Sequence, residues 1–109
     1  MNIACTLSNN RALVELSGRM DAVTAPAFEQ HCDSLITQGT TAVIADMSGL
    51  EYISSAGLRS ILSSAKKLRA AGGSLSFCGM TGMVDEVFRV SGFLKMFRVF
   101  ATKDEALAE

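Results

Sequence analysis

The order of apolar and polar positions divides the chain into strands and helices. Two short alternating segments, "IACTL" and "ALVEL", flank the turn-forming "SNNR" and predict an antiparallel hairpin. A later segment, "TAVIADM", is almost continuously apolar over the length of a strand, which is typical of a central strand covered by other elements. Two further short strands are predicted for "SLSFCG" and "KMFRVF". The pattern therefore predicts five strands.

Helical periodicity separates these strands. A first helix is predicted to be capped by Thr24 and to end near Gly39, and its apolar face consists of Phe28, Cys32, Leu35 and Ile36. A second, more regular helix ends at Gly72, and the residues expected to face the core are Leu58, Ile61, Leu62, Ala65 and Leu68. A third, short helix is predicted to be capped by Thr81 and ended by Gly92.

Strands that alternate with helices predict an α/β fold: a mixed β-sheet with helices packed on it, opening with an antiparallel hairpin at one edge. The length of 109 residues fits one domain over residues 1–109. The last segment has Thr102 and Glu105 at capping-box spacing but is short enough to fray. Functional groups in such sheets gather beyond the carboxyl ends of parallel strands, which here draws attention to residues 46–57.

The amino-acid composition limits the classes of partner and site that the chain is expected to have. Ten basic and eleven acidic residues give no long-range attraction for nucleic acid or an anionic membrane, so neither is expected as a partner. No apolar run is long enough to span a bilayer, and the chain is expected to be soluble and cytoplasmic. The three cysteines lack CxxC spacing, predict no metal site, and are expected to be small buried side chains in a reducing compartment: Cys5, Cys32 and Cys78.

The sequence also lacks the residues of an enzyme. Its single histidine, His31, lies on the first helix and is predicted to be a surface or boundary residue. No GxSxG motif surrounds Ser55, and no phosphate-binding loop motif is present. Asp46 has no accompanying acidic pair to hold Mg²⁺, so Asp46 and Ser48 predict an Asx-type turn. We expect neither catalysis nor a cofactor.

Two adjacent serines begin the second helix. One serine is enough to cap the helix, which leaves a second hydroxyl beside free N–H groups, where a phosphate can be held without local repulsion. At about 100° per residue, the face opposite the apolar stripe consists of Ala56, Arg59, Ser60, Ser63 and Lys67. This small-sided face fits a docking surface or a solvated helix equally well.

At these residues the sequence resembles the STAS domains, and among them the bacterial anti-sigma factor antagonists. The segment "DMSGLEYISSAGL" is similar to the family's strand, turn and phosphorylatable serine followed by Gly-Leu. Similarity extends over nearly the whole chain, through "SGRMD", "AAGGSLSFCG" and "VFRVSGFLKMF". The resemblance implies a STAS-like fold.

Carried over by position, the resemblance implies roles for individual residues. Ser55 matches the phosphoacceptor, Asp21 an acidic residue of the loop that borders it, and Gly57 the small residue of the helix turn. Ser54 departs from the family, since the better-studied antagonists have Asp there, and it is a second candidate acceptor. The expected partner-binding set is Asp21, Ser54, Ser55, Ala56, Gly57, Arg59, Ser60 and Ser63.

The resemblance implies a partner switch. The unmodified protein would bind an anti-sigma factor that is also a GHKL-type serine kinase and so release the sigma factor. Phosphorylation would end that binding, and a PP2C-type phosphatase would restore it. Because the ATP belongs to the partner, this chain needs no cofactor.

Two alternatives belong to different functional classes. The chain could be a constitutive STAS scaffold or transporter-associated subunit whose serines serve only as helix caps. It could also be a small-molecule or nucleotide-binding module that uses the same helix N-terminus as an anion site.

Overall fold

In the computed structural model, which describes residues 1–109, five strands form one sheet in the order in which they occur along the chain. These strands are β1 (Asn2–Ser8), β2 (Arg11–Met20), β3 (Ala42–Ile53), β4 (Ser74–Cys78) and β5 (Val99–Phe100). The β1 and β2 strands are antiparallel, and every later neighbour is parallel. The predicted α/β class, mixed sheet and opening hairpin are confirmed.

Five helices connect or follow the strands: α1 (Ala25–Thr37), α2 (Ser55–Ala70), α3 (Gly82–Ser91), α4 (Phe93–Met96) and α5 (Lys103–Leu107). The prediction of a strand over "KMFRVF" is wrong for its first part, because α4 ends at Met96 and β5 contains only two residues. Phe97 instead packs edge-on against Phe77 and Phe93, with ring centroids 5.1 and 5.7 Å apart. The apolar residues of this segment therefore serve two elements, which a run of apolar letters does not reveal.

The hairpin turn has the geometry that its two asparagines favour. Asn9 and Asn10 have φ angles of 53° and 63°. Positive φ at both central residues characterises a type I′ turn, whose twist matches that of paired strands, and asparagine tolerates this conformation better than most residues.

The two faces of the sheet are covered unequally. A cluster of 21 buried residues, drawn from the strands and α1 to α4, forms the main core on one face. On the other face, α5 covers a four-residue cluster of Leu13, Ile44, Cys78 and Ala106. Burial of the Cys78 thiol there raises its pKa to about 11.

The fraying predicted for the last segment is wrong. The Thr102 hydroxyl accepts a hydrogen bond from the Glu105 N–H at 3.2 Å, which confirms the cap, and Ala106 is buried against the sheet. The Arg11 guanidinium donates to the backbone carbonyls of Ala106, Leu107 and Glu109. A positive charge beside these carbonyls stabilises the end of a short helix.

Strand β3 continues past the turn that the sequence predicts. The Asx-type hydrogen bond is present, since the Ser48 N–H donates to Asp46 Oδ1 at 3.0 Å, but the chain does not reverse there. Pairing with β4 stops at Asp46, whereas pairing with β2 continues to Ile53 through two register shifts. The predicted Asx-type turn is therefore confirmed as a local hydrogen bond, but it lies within an irregular strand and does not end that strand.

The buried face of α2 differs from the predicted one. Its buried residues are Gly57, Ser60, Ile61, Ser64, Ala65 and Leu68, whereas Leu58 and Leu62 are only partly buried at the margin of the core. Ser60 is 7% exposed, so its assignment to the outer face is wrong. The reason is that α1 packs along α2: the Ser64 hydroxyl lies beside the Cys32 thiol of α1, and Ser60 precedes Ser64 by one helical turn.

Other local predictions had mixed outcomes. Cys32 and Cys78 are buried as expected, whereas Cys5 is exposed because β1 is an edge strand. His31 is half-buried, as predicted for a boundary residue. Thr81 precedes α3 but makes no side-chain cap bond, while Gly92 ends that helix with a φ of 84°.

The orientation of α2 leads to a stability prediction. We expect Ile61→Ala to lower the free energy of unfolding by about 2–5 kcal/mol, because it leaves a cavity in the main core. Leu62→Ala removes a side chain that is partly in solvent and should cost clearly less. Chemical denaturation of the two variants makes the comparison, and equal losses would mean that the helix is rotated from the orientation described.

Candidate functional site

The site is built where β2 and β3 end and α2 begins. The Ser54 N–H donates to the Met20 carbonyl oxygen at 2.9 Å, which ties the start of α2 to the end of β2. Residues 21–24 follow Met20 directly and lead into α1. The first turn of α2 and this loop, 21–24, therefore lie side by side at the carboxyl end of the parallel strands, where the topology predicts functional groups.

Ser54 is the residue that caps α2. It has extended backbone angles, and its Oγ accepts a hydrogen bond from the Gly57 N–H at 3.2 Å. Its carbonyl oxygen accepts from the Leu58 N–H at 3.0 Å, which is the first bond of the helix. The hydroxyl of Ser54 is thus used within the protein.

Ser55 is the first residue of α2 and is exposed. Its hydroxyl makes no hydrogen bond to the protein, and the backbone N–H groups of Ser55 and Ala56 also have no acceptor within the chain. The positive end of the helix dipole adds to these free donors. The arrangement leaves Ser55 Oγ accessible to a partner and compatible with an added negative charge.

Gly57 allows the close approach of helix and strands. A Cβ at this position would lie 2.8 Å from Ile53 Cγ1 and 3.0 Å from both Met20 Cγ and the Met20 carbonyl oxygen. These distances are shorter than ordinary van der Waals contact, so any side chain would push α2 away from the sheet. Gly57 is buried and supports the site without presenting a surface to a partner.

Asp21 fixes the shape of the neighbouring loop. Its Oδ1 accepts hydrogen bonds from the Thr24 N–H at 3.1 Å and the Val23 N–H at 3.0 Å. The bond from the Thr24 N–H, helped by the Val23 N–H, the Thr24 hydroxyl and the charge of Arg19, holds the pKa of the Asp21 carboxyl below its ordinary value.

Thr24 is at the N-cap position of α1, as predicted, but its side chain does not cap the helix. The Thr24 hydroxyl donates to the Arg19 carbonyl at 2.8 Å and accepts from the Asp21 N–H at 2.9 Å. It makes no side-chain bond to the first turn of α1. The hydroxyl closes the loop back onto the end of β2, so the loop is held by bonds from both of its ends.

Val23 is a surface residue that the sequence analysis missed. It lies in the loop beside the α2 terminus and is 86% exposed, the highest exposure among the large apolar side chains. Single exposed apolar side chains are common on protein surfaces, so Val23 is of interest here because its loop adjoins the start of α2. The sequence does contain an indication of this exposure. Val23 lies between Asp21 and Thr24, outside the apolar pattern of both the preceding strand and the following helix, so neither element would bury it.

The predicted partner-binding residues do not all share one surface. Ser54, Ser55, Ala56, Arg59 and Ser63 are exposed or half-buried on α2, and Asp21 borders them. Gly57 and Ser60 are buried, so Ser60 in particular cannot contribute to docking as expected. We call the accessible residues around the start of α2 the α2 docking surface. They are Asp21, Val23, Ser54, Ser55, Ala56, Arg59 and Ser63.

No group of three or more His, Cys, Asp or Glu side chains is arranged to hold a metal ion. None of the helices is both long enough and apolar enough to pass through a membrane.

Comparison with known proteins decides the family. The profile of the STAS domain matches residues 2–106. The chain belongs to the STAS domain family. One relative, BtrV of Bordetella bronchiseptica, which is named as an anti-sigma factor antagonist, is 39% identical over 93 residues, or 85% of this chain and 80% of BtrV.

Solved structures of anti-sigma factor antagonists agree with this chain in fold. The crystal structure of an anti-sigma factor antagonist from Mycobacterium paratuberculosis has a TM-score of 0.87 and 26% identity, covering 98% of this chain and 91% of that one. SpoIIAA of Bacillus, solved in unphosphorylated and phosphorylated forms, is 22% identical in both, with TM-scores of 0.83 and 0.78. The unphosphorylated comparison covers 97% of this chain and 93% of SpoIIAA, and the phosphorylated one 98% and 97%. Antagonists of the STAS family are non-enzymatic regulators, in line with the prediction that this STAS protein is not an enzyme.

The free energies of unfolding of two alanine variants distinguish the roles of Ser54 and Ser55. Ser54→Ala removes the cap of α2 and should lower the free energy of unfolding by about 1 kcal/mol. Ser55→Ala removes an exposed hydroxyl without a bond and should change it by less than about 0.5 kcal/mol. Urea denaturation of both variants makes the measurement, and a larger loss for Ser55→Ala would identify Ser55 as the cap.

Proposed function

We propose that this STAS protein is an anti-sigma factor antagonist controlled by phosphorylation of Ser55. The observation that carries the proposal is the division of roles at the start of α2: Ser54 Oγ is occupied as the cap, while Ser55 Oγ is exposed and unbonded. Family membership and the antagonist relatives support the regulatory role. SpoIIAA, which shares the fold, exists in a phosphorylated form.

The partner is an anti-sigma factor of the GHKL serine kinase type. The unphosphorylated chain binds this partner and thereby releases a sigma factor in the cytoplasm. The kinase then transfers the γ-phosphoryl group of its own ATP to Ser55 Oγ, which loses its proton, and ADP leaves. A PP2C-type phosphatase hydrolyses the phosphate ester with water, which returns the serine hydroxyl and inorganic phosphate.

The physical basis of the switch is charge at an interface. A phosphate brings a charge of about −1.5 to −2, and the free N–H groups of Ser55 and Ala56 can accommodate it in the isolated protein. A partner shaped around a neutral hydroxyl would have to remove water from that charge without pairing it, which is costly. Phosphorylation therefore weakens binding without requiring a change of fold.

The α2 docking surface supplies the contacts. Val23 offers an apolar anchor, and Arg59 and Ser63 extend the surface along α2. Asp21 keeps the loop in shape through Oδ1, and no protein hydrogen bond occupies Oδ2. Fixing the loop in advance reduces the entropy that docking has to overcome.

Substitution of Ser55 tests the switch. With the kinase partner and ATP, Ser55→Ala should accept no phosphate in intact mass spectrometry and should bind the partner like the wild type. Ser55→Asp should fold normally but bind about 30-fold to a few thousandfold more weakly, because its charge enters the interface unpaired.

Ser54→Ala is the matched control, because it keeps the acceptor and removes only the cap. It should still be phosphorylated, with the loss of stability described above. Phosphate on Ser54 in the wild type would move the acceptor by one residue. If no cognate kinase modifies either serine and Ser55→Asp binds like the wild type, the scaffold function replaces the switch.

The outer face of α2 has its own test. Arg59→Glu should leave the free energy of unfolding within about 0.5 kcal/mol of the wild type because Arg59 is exposed and forms no ion pair. It should weaken anti-sigma factor binding roughly tenfold. Lys95→Glu on α4 is the charge-matched control, and calorimetric titration compares the two. Equal affinities would place the interface away from this face.

A further inference from the structure

Strand β1 is an open edge of the sheet and has no role in the proposed switch. Strand β1 pairs with β2 along its whole length, Asn2–Ser8, and its other side has no partner strand. Exposed edges in natural proteins are commonly blocked by lysine, proline or a bulge. The sequence of β1, "NIACTLS", contains no charged residue and no proline, and its register with β2 is unbroken.

The unpaired backbone groups of β1 belong to its apolar residues. Ser8 and Arg11 flank the two-residue turn and therefore exchange hydrogen bonds across the hairpin. Alternation along the strand then directs the N–H and C=O groups of Ile3, Cys5 and Leu7 away from β2. Leu7 is 57% exposed and Cys5 is exposed, so side chains and backbone are both open at this edge.

Residues of β1 at equal distances on either side of Cys5 are similar in size and polarity. Ala4 and Thr6 are the small neighbours of Cys5, Ile3 and Leu7 are the next pair outward, and Asn2 and Ser8 are the polar ends. An antiparallel partner with the same sequence, paired Cys5 to Cys5, would set small residues against small, apolar against apolar and polar against polar. This is the only antiparallel register in which all seven residues of both strands are paired.

We propose that two copies of this chain associate through antiparallel pairing of their β1 edges, with Cys5 on the two-fold axis. The pairing joins two five-stranded sheets into one and satisfies the outward backbone groups of Ile3, Cys5 and Leu7. No like charges meet, because the strand carries none. A second copy fits this edge better than an unrelated peptide, since only a copy brings the same symmetric pattern. The contact does not depend on phosphorylation of Ser55.

Amide hydrogen exchange of the wild-type protein tests the pairing directly. As concentration rises, exchange at the N–H groups of Ile3, Cys5 and Leu7 should slow, while the N–H of Thr6, which already faces β2, should not change. Sedimentation velocity over the same range should approach twice the chain mass of 11.6 kDa. A constant monomer mass, or protection that appears only when the anti-sigma partner is added, would overturn the proposal.

Cys5 provides a matched set of variants. Cys5→Lys places two positive charges opposite each other and should raise the dimer dissociation constant at least about tenfold. Cys5→Ser is small and neutral and should keep the dimer, as should Val90→Lys on the exposed side of α3. A dimer that is unaffected by Cys5→Lys would locate the interface elsewhere.

Disulfide trapping adds a check on the register. The other two thiols, Cys32 and Cys78, are buried, so mild oxidation should join two chains only through Cys5. Two thiols then lose two electrons and two protons to added diamide, which is reduced to the hydrazine. Wild type should give a reducible covalent dimer and Cys5→Ser none. Failure to crosslink under conditions where the dimer sediments would exclude the Cys5-to-Cys5 register.

Discussion

The contact between Met20 and the first turn of α2 is the constraint on which the site depends. The Met20 carbonyl accepts from the Ser54 N–H at 2.9 Å, and the absence of a side chain at Gly57 lets the helix come this close. Because the loop of Asp21 leaves β2 directly after Met20, the same contact brings that loop beside Ser55. A shift of α2 would separate the two halves of the α2 docking surface, so a backbone contact in the interior determines which side chains meet at the surface.

Features set by neighbouring residues were predictable from the sequence. The hairpin follows from two adjacent asparagines that adopt positive φ, and the start of α2 follows from a serine whose hydroxyl reaches the N–H three residues on. The candidate phosphoacceptor depends on the same local geometry, with the STAS resemblance choosing between the two serines. In each case the interacting groups lie within a few positions of one another.

Features set by distant partners were not predictable in this way. Helical spacing gives the direction of Ser60 relative to Ile61, but it does not reveal that α1 packs along that side of α2 and buries it. The Asx-type bond at Asp46 was predictable, but the continuation of β3 beyond it was not, because it depends on pairing with β2. Val23 was missed because its exposure depends on bonds of Asp21 and Thr24 that hold the loop outward.

The bonds from Arg11 to the carbonyls of α5 connect residues 95 to 98 positions apart. During synthesis, the side chain of Arg11 is made long before those carbonyls exist, so this face of the sheet stays uncovered until α5 has been made. Closing so large a loop is slow compared with forming local helices, because chain entropy opposes it. The apolar residues under α5, including the thiol of Cys78, therefore stay open to solvent and to other chains until this long-range closure is complete.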